Sequence, residues 1–509
     1  MTENDPTAAA AAAVAAPKRL IVIGAGMAGI KLAHRCLEEN PNLMEIVILE
    51  ANDYIGGRIC SLQLPFANHY LVEKGANWIS GLEDVYENPV FTLAQAIQLQ
   101  GESSDRSNEE TIAAFDDRGE DVSQQYLASA RRFHSAHEQA IQECARLKLT
   151  PSNDQTVRSL LEQCGWHAPK ENSMNHRIDR TVEYNVLQVW VADNLDALSA
   201  AHDLRAGAND VDLGQEELFV QDQRGFNSIL NGMTQDLKDW GAKIYLDTSV
   251  EMIDYTAADG QPVTVTVRDL KSKTQRHFHA DAVVCTVSLG VLQSDAIDFV
   301  PAVPKWKREA WSELGMFVFA KVYAKFDDRL DLPDRDQFVI VSNSSENKNK
   351  PRYPLWMKYK RTDQNIFLCY LGGTEAKRVE ALSTEEIKNE IQALFQKVFG
   401  NGQSFSKSME VTTEASIFRP VEVAVTDWST NPRFCGSYSY YPMNAFASVP
   451  VEDFTCGLSG QGKDGRQGPT RLYFAGEAFD DMFNGWVQGA YRSGERVAKE
   501  IIGISNTEM

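Results

Sequence analysis

Gly24, Gly26 and Gly29 stand in the run Gly24-Ala25-Gly26-Met27-Ala28-Gly29, and Glu50 follows after the spacing of one helix and one strand. That pattern suits the diphosphate of a dinucleotide. Gly24 permits a tight turn, Gly26 lets a pyrophosphate approach the backbone, and Gly29 lets the following helix pack closely on its strand. The anion then sits at a helix N-terminus, where free N–H groups and the dipole favour negative charge. Glu50 is placed to accept hydrogen bonds from ribose hydroxyls, which disfavours a 2′-phosphate. Arg58, just after Gly56 and Gly57, can reach the diphosphate and offset its charge; the alternative is an exposed turn arginine. Lys321 lies in the apolar run Phe317-Val318-Phe319-Ala320-Lys321-Val322-Tyr323. An amine there is costly unless it has a partner, or else the strand alternates and Lys321 faces solvent.

The elements that must position these groups are legible around them. Arg19-Leu20-Ile21-Val22-Ile23 is an unbroken apolar strand of the kind buried in a parallel sheet. It runs into the glycine turn, then into a helix with Ile30, Leu32, Ala33 and Leu37 as its apolar stripe. A second buried strand, Glu45 to Leu49, delivers Glu50. The unit predicts an α/β fold with a Rossmann-like domain. From about Asn108 to Asp203 the chain reads as helical and polar, and Ala128 to Lys148 has a long charged face. Strands are expected at Lys243 to Leu246, Val263 to Val267, Ala282 to Thr286, Phe317 to Phe326, Phe367 to Gly372 and Arg471 to Ala475. Helices are expected from about Thr384 to Phe399 and Gly489 to Ile502. No repeat or linker separates them, so the domains are interleaved. Residues 1–17, with their alanine run, read as a disordered extension.

The 509 residues carry a net charge of -21, which argues against non-specific nucleic-acid binding and suits cationic substrates. The eight cysteines show no CxxC and no zinc-ligand spacing. His134 and His137 could share a helix face, but nothing completes a metal site, and both read as surface residues; no metal is expected. No apolar run of membrane-spanning length is present. The start is acidic and alanine-rich rather than basic and strongly apolar, so no secretory signal is read there. The C-terminal residues match no address signal, and the expectation is a cytoplasmic protein. Asn343-Ser344-Ser345 is a formal glycosylation sequon.

The chain also resembles the FAD-dependent amine oxidase superfamily, specifically plant-type polyamine oxidases. The segments that carry this run from Val22 to Gly29, Glu50 to Arg58 and Gly75 to Ile79. They continue through Asp222 to Phe226, Thr286 to Leu292, Ala320 to Tyr323, Trp428 and Gly436 to Ser439, and end with Ala475 to Glu477 and Asn484 to Trp486.

The resemblance implies an FAD domain from residues 18–100, 215–300 and 430–509, interleaved with an α+β substrate domain from 101–214 and 301–429. It implies FAD contacts from Gly24, Gly26, Gly29, Glu50 and Arg58, and from Gly75, Ala76, Asn77 and Trp78. Val250, Trp428, Glu477 and Val487 complete that set. The helix starting near Trp486 would aim its N-terminus at the flavin pyrimidine carbonyl.

Lys321 matches the lysine that holds a water against flavin N5, and Tyr438 and Trp486 match two facing aromatic rings that form a slot for a slim alkylamine. Ser437 stands where some relatives attach flavin through cysteine, so the FAD is expected to be non-covalent. Ser80 stands where plant-type relatives have glutamate, and a second acidic channel position falls at Trp190 or Asp193. A polyamine such as spermine or spermidine would then rely on Glu83, Asp84 or Asp193. The implied activity is oxidation of an amine C–N bond, with O2 as electron acceptor and peroxide as product. The alternatives are another amine (a monoamine, an L-amino acid or methyl-lysine) and a flavin-binding protein without turnover. The sequence does not give the oligomeric state.

Overall fold

A computed structural model describes residues 18–64, 70–82, 87–105, 111–167, 173–191, 194–208, 216–256, 261–327, 330, 335–341, 352–359, 365–400, 418–461 and 464–504. The expected N-terminal extension, the sequon at Asn343, Glu83, Asp84 and Asp193 all lie outside the described residues.

The first strand, Arg19–Ile23, lies at the centre of a five-stranded sheet. It pairs in parallel with Glu45–Leu49 on one side and Ala282–Cys285 on the other. Lys243–Tyr245 and Leu472–Phe474 close the two edges, also in parallel. Leu20, Ile21 and Val22 have no exposed surface, the expected consequence of a parallel strand covered on both faces. The helix Met27–Glu38 packs against the C-terminal helix Val487–Ile502. They approach so closely that a Cβ on Gly494 would lie 2.4 Å from the carbonyl oxygen of Ala28. The α/β fold expected from the sequence is present.

A second sheet has six strands, in the order Glu422–Val425, Phe319–Lys325, Ile366–Gly372, Leu355–Lys358, Gln337–Val341, Ile112–Asp116. All its pairs are antiparallel except Gln337–Val341 with Ile112–Asp116. Alternation along Phe319–Lys325 sends Val322 and Ala324 to a core under the helix Thr384–Phe399, and Tyr323 to the opposite core. Lys321, two residues before Tyr323, therefore shares that second face.

Two small sheets join segments expected to belong to different domains. Gly101–Asp105 and Trp78–Ser80 flank Glu216–Val220, and Gly315–Phe317 pairs with Tyr438–Tyr440.

Some local readings change. The strand expected over Phe317 to Phe326 is interrupted at Val318, and the helical stretch from Asn108 begins with the strand Ile112–Asp116. The last helix starts at Val487, two residues before its expected start. His137 is half-buried rather than on the surface, because the helix Ser123–Leu147 turns that side inward; His134 stays exposed. Among the described residues no helix is long and apolar enough to cross a membrane.

Candidate active site

One cavity of about 980 Å³ runs between the two large sheets. At one end the first strand stops and the glycine turn begins. Gly24 holds φ +103°, and a Cβ there would strike Thr286 Oγ1 at 2.5 Å. Gly29 is fixed by packing instead, since its Cβ would fall 2.1 Å from the Gly24 carbonyl; it does not line the cavity. Gly26 does line it, and a Cβ there would meet no protein atom closer than 3.8 Å, so its bulk would enter the cavity.

Glu50 closes this end. Its Oε2 accepts from Ala25 N at 2.7 Å, and Oε1 accepts from Asn52 N at 2.8 Å and Asn52 Nδ2 at 2.7 Å. Burial pushes the Glu50 carboxyl up in pKa, while these hydrogen bonds and Arg433 pull the other way. Glu50 thus holds the turn as well as facing the cavity. Arg433 donates to Asn52 Oδ1 at 3.0 Å and lines the same end.

The middle of the cavity gathers most of the remaining sequence candidates. Arg58, Gly75, Ala76, Asn77, Trp78, Val250, Trp428, Glu477, Val487, Tyr438 and Trp486 all line it. Arg58 Nη1 donates to the Ser437 carbonyl and to Glu477 Oε1, each at 2.8 Å. Glu477 also accepts from Gly485 N at 2.9 Å and from the Ser439 hydroxyl. The Arg58–Glu477 ion pair, through its hydrogen bonds to Ser437 and Ser439, ties the glycine-turn half to the strand that bears Tyr438. No side chain caps the helix starting at Val487, and Val487 and Gln488 reach the cavity wall, so its positive end faces the cavity. This donor set suits a large anionic cofactor.

Lys321 is fully interior at 2 % exposure. Its Nζ donates to the Gly75 carbonyl at 2.7 Å, the Glu73 carbonyl at 2.8 Å and Asn77 Oδ1 at 3.0 Å. Each proton of the ammonium thus has an acceptor; the neutral amine would keep a lone pair. Burial holds the amine below the usual lysine range, against the pull of Glu73, and burial pushes the Glu73 carboxyl up.

Tyr438 is anchored by its hydroxyl, which donates to the Trp190 carbonyl at 2.5 Å. Trp486 is 41 % exposed. The two rings do not touch each other among the described residues, and Gly485 lies beside Tyr438, where its Cβ would sit 3.5 Å from the ring.

Ser80 is not on the cavity wall; it is buried and donates to Glu217 on the neighbouring strand. Trp190 does line the cavity, tilted against Phe319 at 5.5 Å. The far end holds groups that the sequence did not single out for the site: His137 and Ile141 from one helix, and His202, Asp203 and Leu204 from another. Nothing in their spacing marks them, because they converge only when those helices pack. No cluster of three or more potential metal ligands occurs among the described residues.

Comparison with known proteins gives this arrangement its class. The profile of the flavin containing amine oxidoreductases matches residues 27–502. Polyamine oxidase 1 of Zea mays is 28% identical, with the alignment covering 96% of this chain and 91% of that protein. Polyamine oxidase 6 of Oryza sativa subsp. japonica is 27% identical over 96% and 92% of the two chains. A possible lysine-specific histone demethylase 1 of Drosophila melanogaster is 23% identical over 95% of this chain and 63% of that protein. The chain belongs to the flavin containing amine oxidoreductases: an oxidoreductase that works with a flavin on amines.

Proposed function

We propose that the protein is a polyamine oxidase that binds FAD non-covalently and oxidises a C–N bond of a spermine- or spermidine-like substrate, with O2 reoxidation to peroxide. The observation that carries the reading is the buried amine of Lys321 on the same cavity wall as the dinucleotide turn. The plant polyamine oxidases similar to the chain along nearly its whole length support the choice of substrate.

The residues present fit FAD. Gly26 leaves room that any side chain would fill, the turn and Arg58 suit a diphosphate, and Glu50 retains acceptor capacity for ribose hydroxyls. The helix N-terminus at Val487 favours negative charge on a flavin ring. When bound, the flavin supplies the two-electron sink for amine oxidation. In this reading residues 18–100, 215–300 and 430–509 hold the cofactor, and 101–214 and 301–429 shape the substrate space. Lys321 Nζ holds or yields a proton at the reacting end, and burial keeps its proton affinity low enough for either state. Tyr438 and Trp486 restrict the entering amine to a slim chain.

A peroxide-release assay over spermine, spermidine, their N-acetyl forms, monoamines and amino acids tests the substrate class. Oxidation of amino acids alone would reject the polyamine. Denaturation should release the flavin into solution; flavin that stays with the chain would overturn non-covalent binding.

A further inference from the structure

Asp203 is an acid with no structural task. It lies in the first turn of the helix Ala200–Ala208, where an acid ordinarily caps free N–H groups. Those groups are already taken. Ala200 N donates to the Gln155 carbonyl at 2.9 Å, Ala201 N to Asp154 Oδ1 at 2.8 Å, and His202 N to Ser199 Oγ at 3.2 Å. Among the described residues the Asp203 carboxylate has neither a hydrogen-bond donor nor an ion-pair partner.

Asp203 is half-buried and forms part of the cavity wall. Among the described residues, no lysine or arginine pairs with it there. Burial and His134 push His137 down to about 4, so its imidazole is neutral. His202 stacks on Tyr441 at 4.1 Å and turns Nε2 to the Ala445 carbonyl at 3.3 Å. Ile141 and Leu204 are apolar. A half-buried carboxylate with no partner among the described residues is unfavourable, and burial raises this one to about 7. A cation arriving through the cavity would relieve that cost.

We propose that Asp203 is the specificity residue that binds a second cationic centre of the substrate, on the stretch of cavity wall that the helix Ala200–Ala208 supplies, apart from the strand that carries Lys321. The wall is continuous between the two: Tyr438 rests on Trp190 and Val191 follows, and both line the cavity. The ligand class is an extended amine with an ammonium some carbons away from the nitrogen being oxidised. An alkylammonium meets the carboxylate, and the apolar wall takes its methylenes. The inference rests on the polyamine reading and places its second charge at Asp203, because Ser80 is off the cavity wall.

The test compares spermidine with N-butylpropylamine, which keeps the secondary nitrogen and both arms but lacks the terminal ammoniums. Peroxide release is measured with the flavin-loaded enzyme, with Asp203→Asn and with Asp203→Glu. The ratio of kcat/KM for spermidine over N-butylpropylamine should fall about tenfold or more in Asp203→Asn, the loss expected for one charge-assisted contact. Asp203→Glu should recover part of it. Flavin content should stay at the parent value and Tm should not fall, which separates this role from a structural one. A ratio unchanged within twofold in Asp203→Asn, with spermidine still oxidised, overturns the role of Asp203 alone. A parent enzyme that oxidises N-butylpropylamine but not spermidine overturns the polyamine reading and this inference with it.

Discussion

Lys321 and Lys307 are buried alike, with 2 % and 0 % of their surface exposed. Each spends its amine on three acceptors. Lys307 donates to the carbonyls of Asp453, Phe454 and Cys456 at 3.0, 2.7 and 2.5 Å, which closes the end of the short helix Val451–Thr455. Lys321 holds two carbonyls and the Asn77 amide oxygen. Burial lowers the pKa of both. Only Lys321 faces the cavity, and only Lys321 is coupled to a buried carboxyl, Glu73. Hydrogen bonding and burial therefore do not tell the two lysines apart. Access to the cavity and the neighbouring Glu73 carboxyl do.

That contrast can be broken most directly at Lys321. Lys321→Met should lower kcat by about 10²-fold with flavin still bound, whereas Lys307→Met should leave turnover per bound flavin unchanged. Equal kinetic losses in the two variants would erase the distinction. In urea unfolding, Lys307→Met should lose about 2 kcal/mol by leaving three carbonyls without their donor; full retention of stability would show that water replaces the amine at no cost.

The pH dependence of stability sharpens the comparison further. Lys307 is pushed down to about 7 from 10.5. Below that window both folded and unfolded chains carry the proton, and above it neither does. Between the two values only the unfolded chain binds it, so stability rises with pH, by at most about 1.4 kcal/mol per unit. Lys307→Met should remove that rise, and an unaltered slope would assign it to other groups. Glu73 acts with the opposite sign: its raised pKa makes stability fall as pH climbs above the ordinary carboxyl value.

The smallest effect is expected from Glu73→Gln. Loss of the anion beside Lys321 should move the limb of the kcat–pH profile that reports Lys321 to lower pH, by about one unit. A shift upward would contradict the direction in which Glu73 acts on the amine.

Much of the glycine-turn end was legible in the chain because its pattern is local. The turn, its glycines and the strand that delivers Glu50 lie within one strand–helix–strand unit, and apolar runs with turn residues specify such units directly. The strand that carries Lys321 was legible for the same reason, although the break at Val318 was not; there the Ser437 hydroxyl and amide take up the Phe319 amide and the Phe317 carbonyl. The far end was not legible. His137 reads as a surface position on a charged helix, and Asp203 only as the end of a polar helical stretch. Ser80 reads as a channel residue, yet it points to Glu217 across a strand pair that the sequence does not announce.

By itself the sequence determined the α/β class and the glycine turn, because short-range periodicity and closely spaced glycines encode them, and its dispersed motifs carried the resemblance to flavin amine oxidases. Only the tertiary structure decided which buried lysine meets the cavity, that Ser80 does not, and that Asp203 lines it with no partner among the described residues. Those outcomes depend on how helices and strands distant in sequence pack against one another. A side chain's environment is set by that packing, not by its neighbours along the chain.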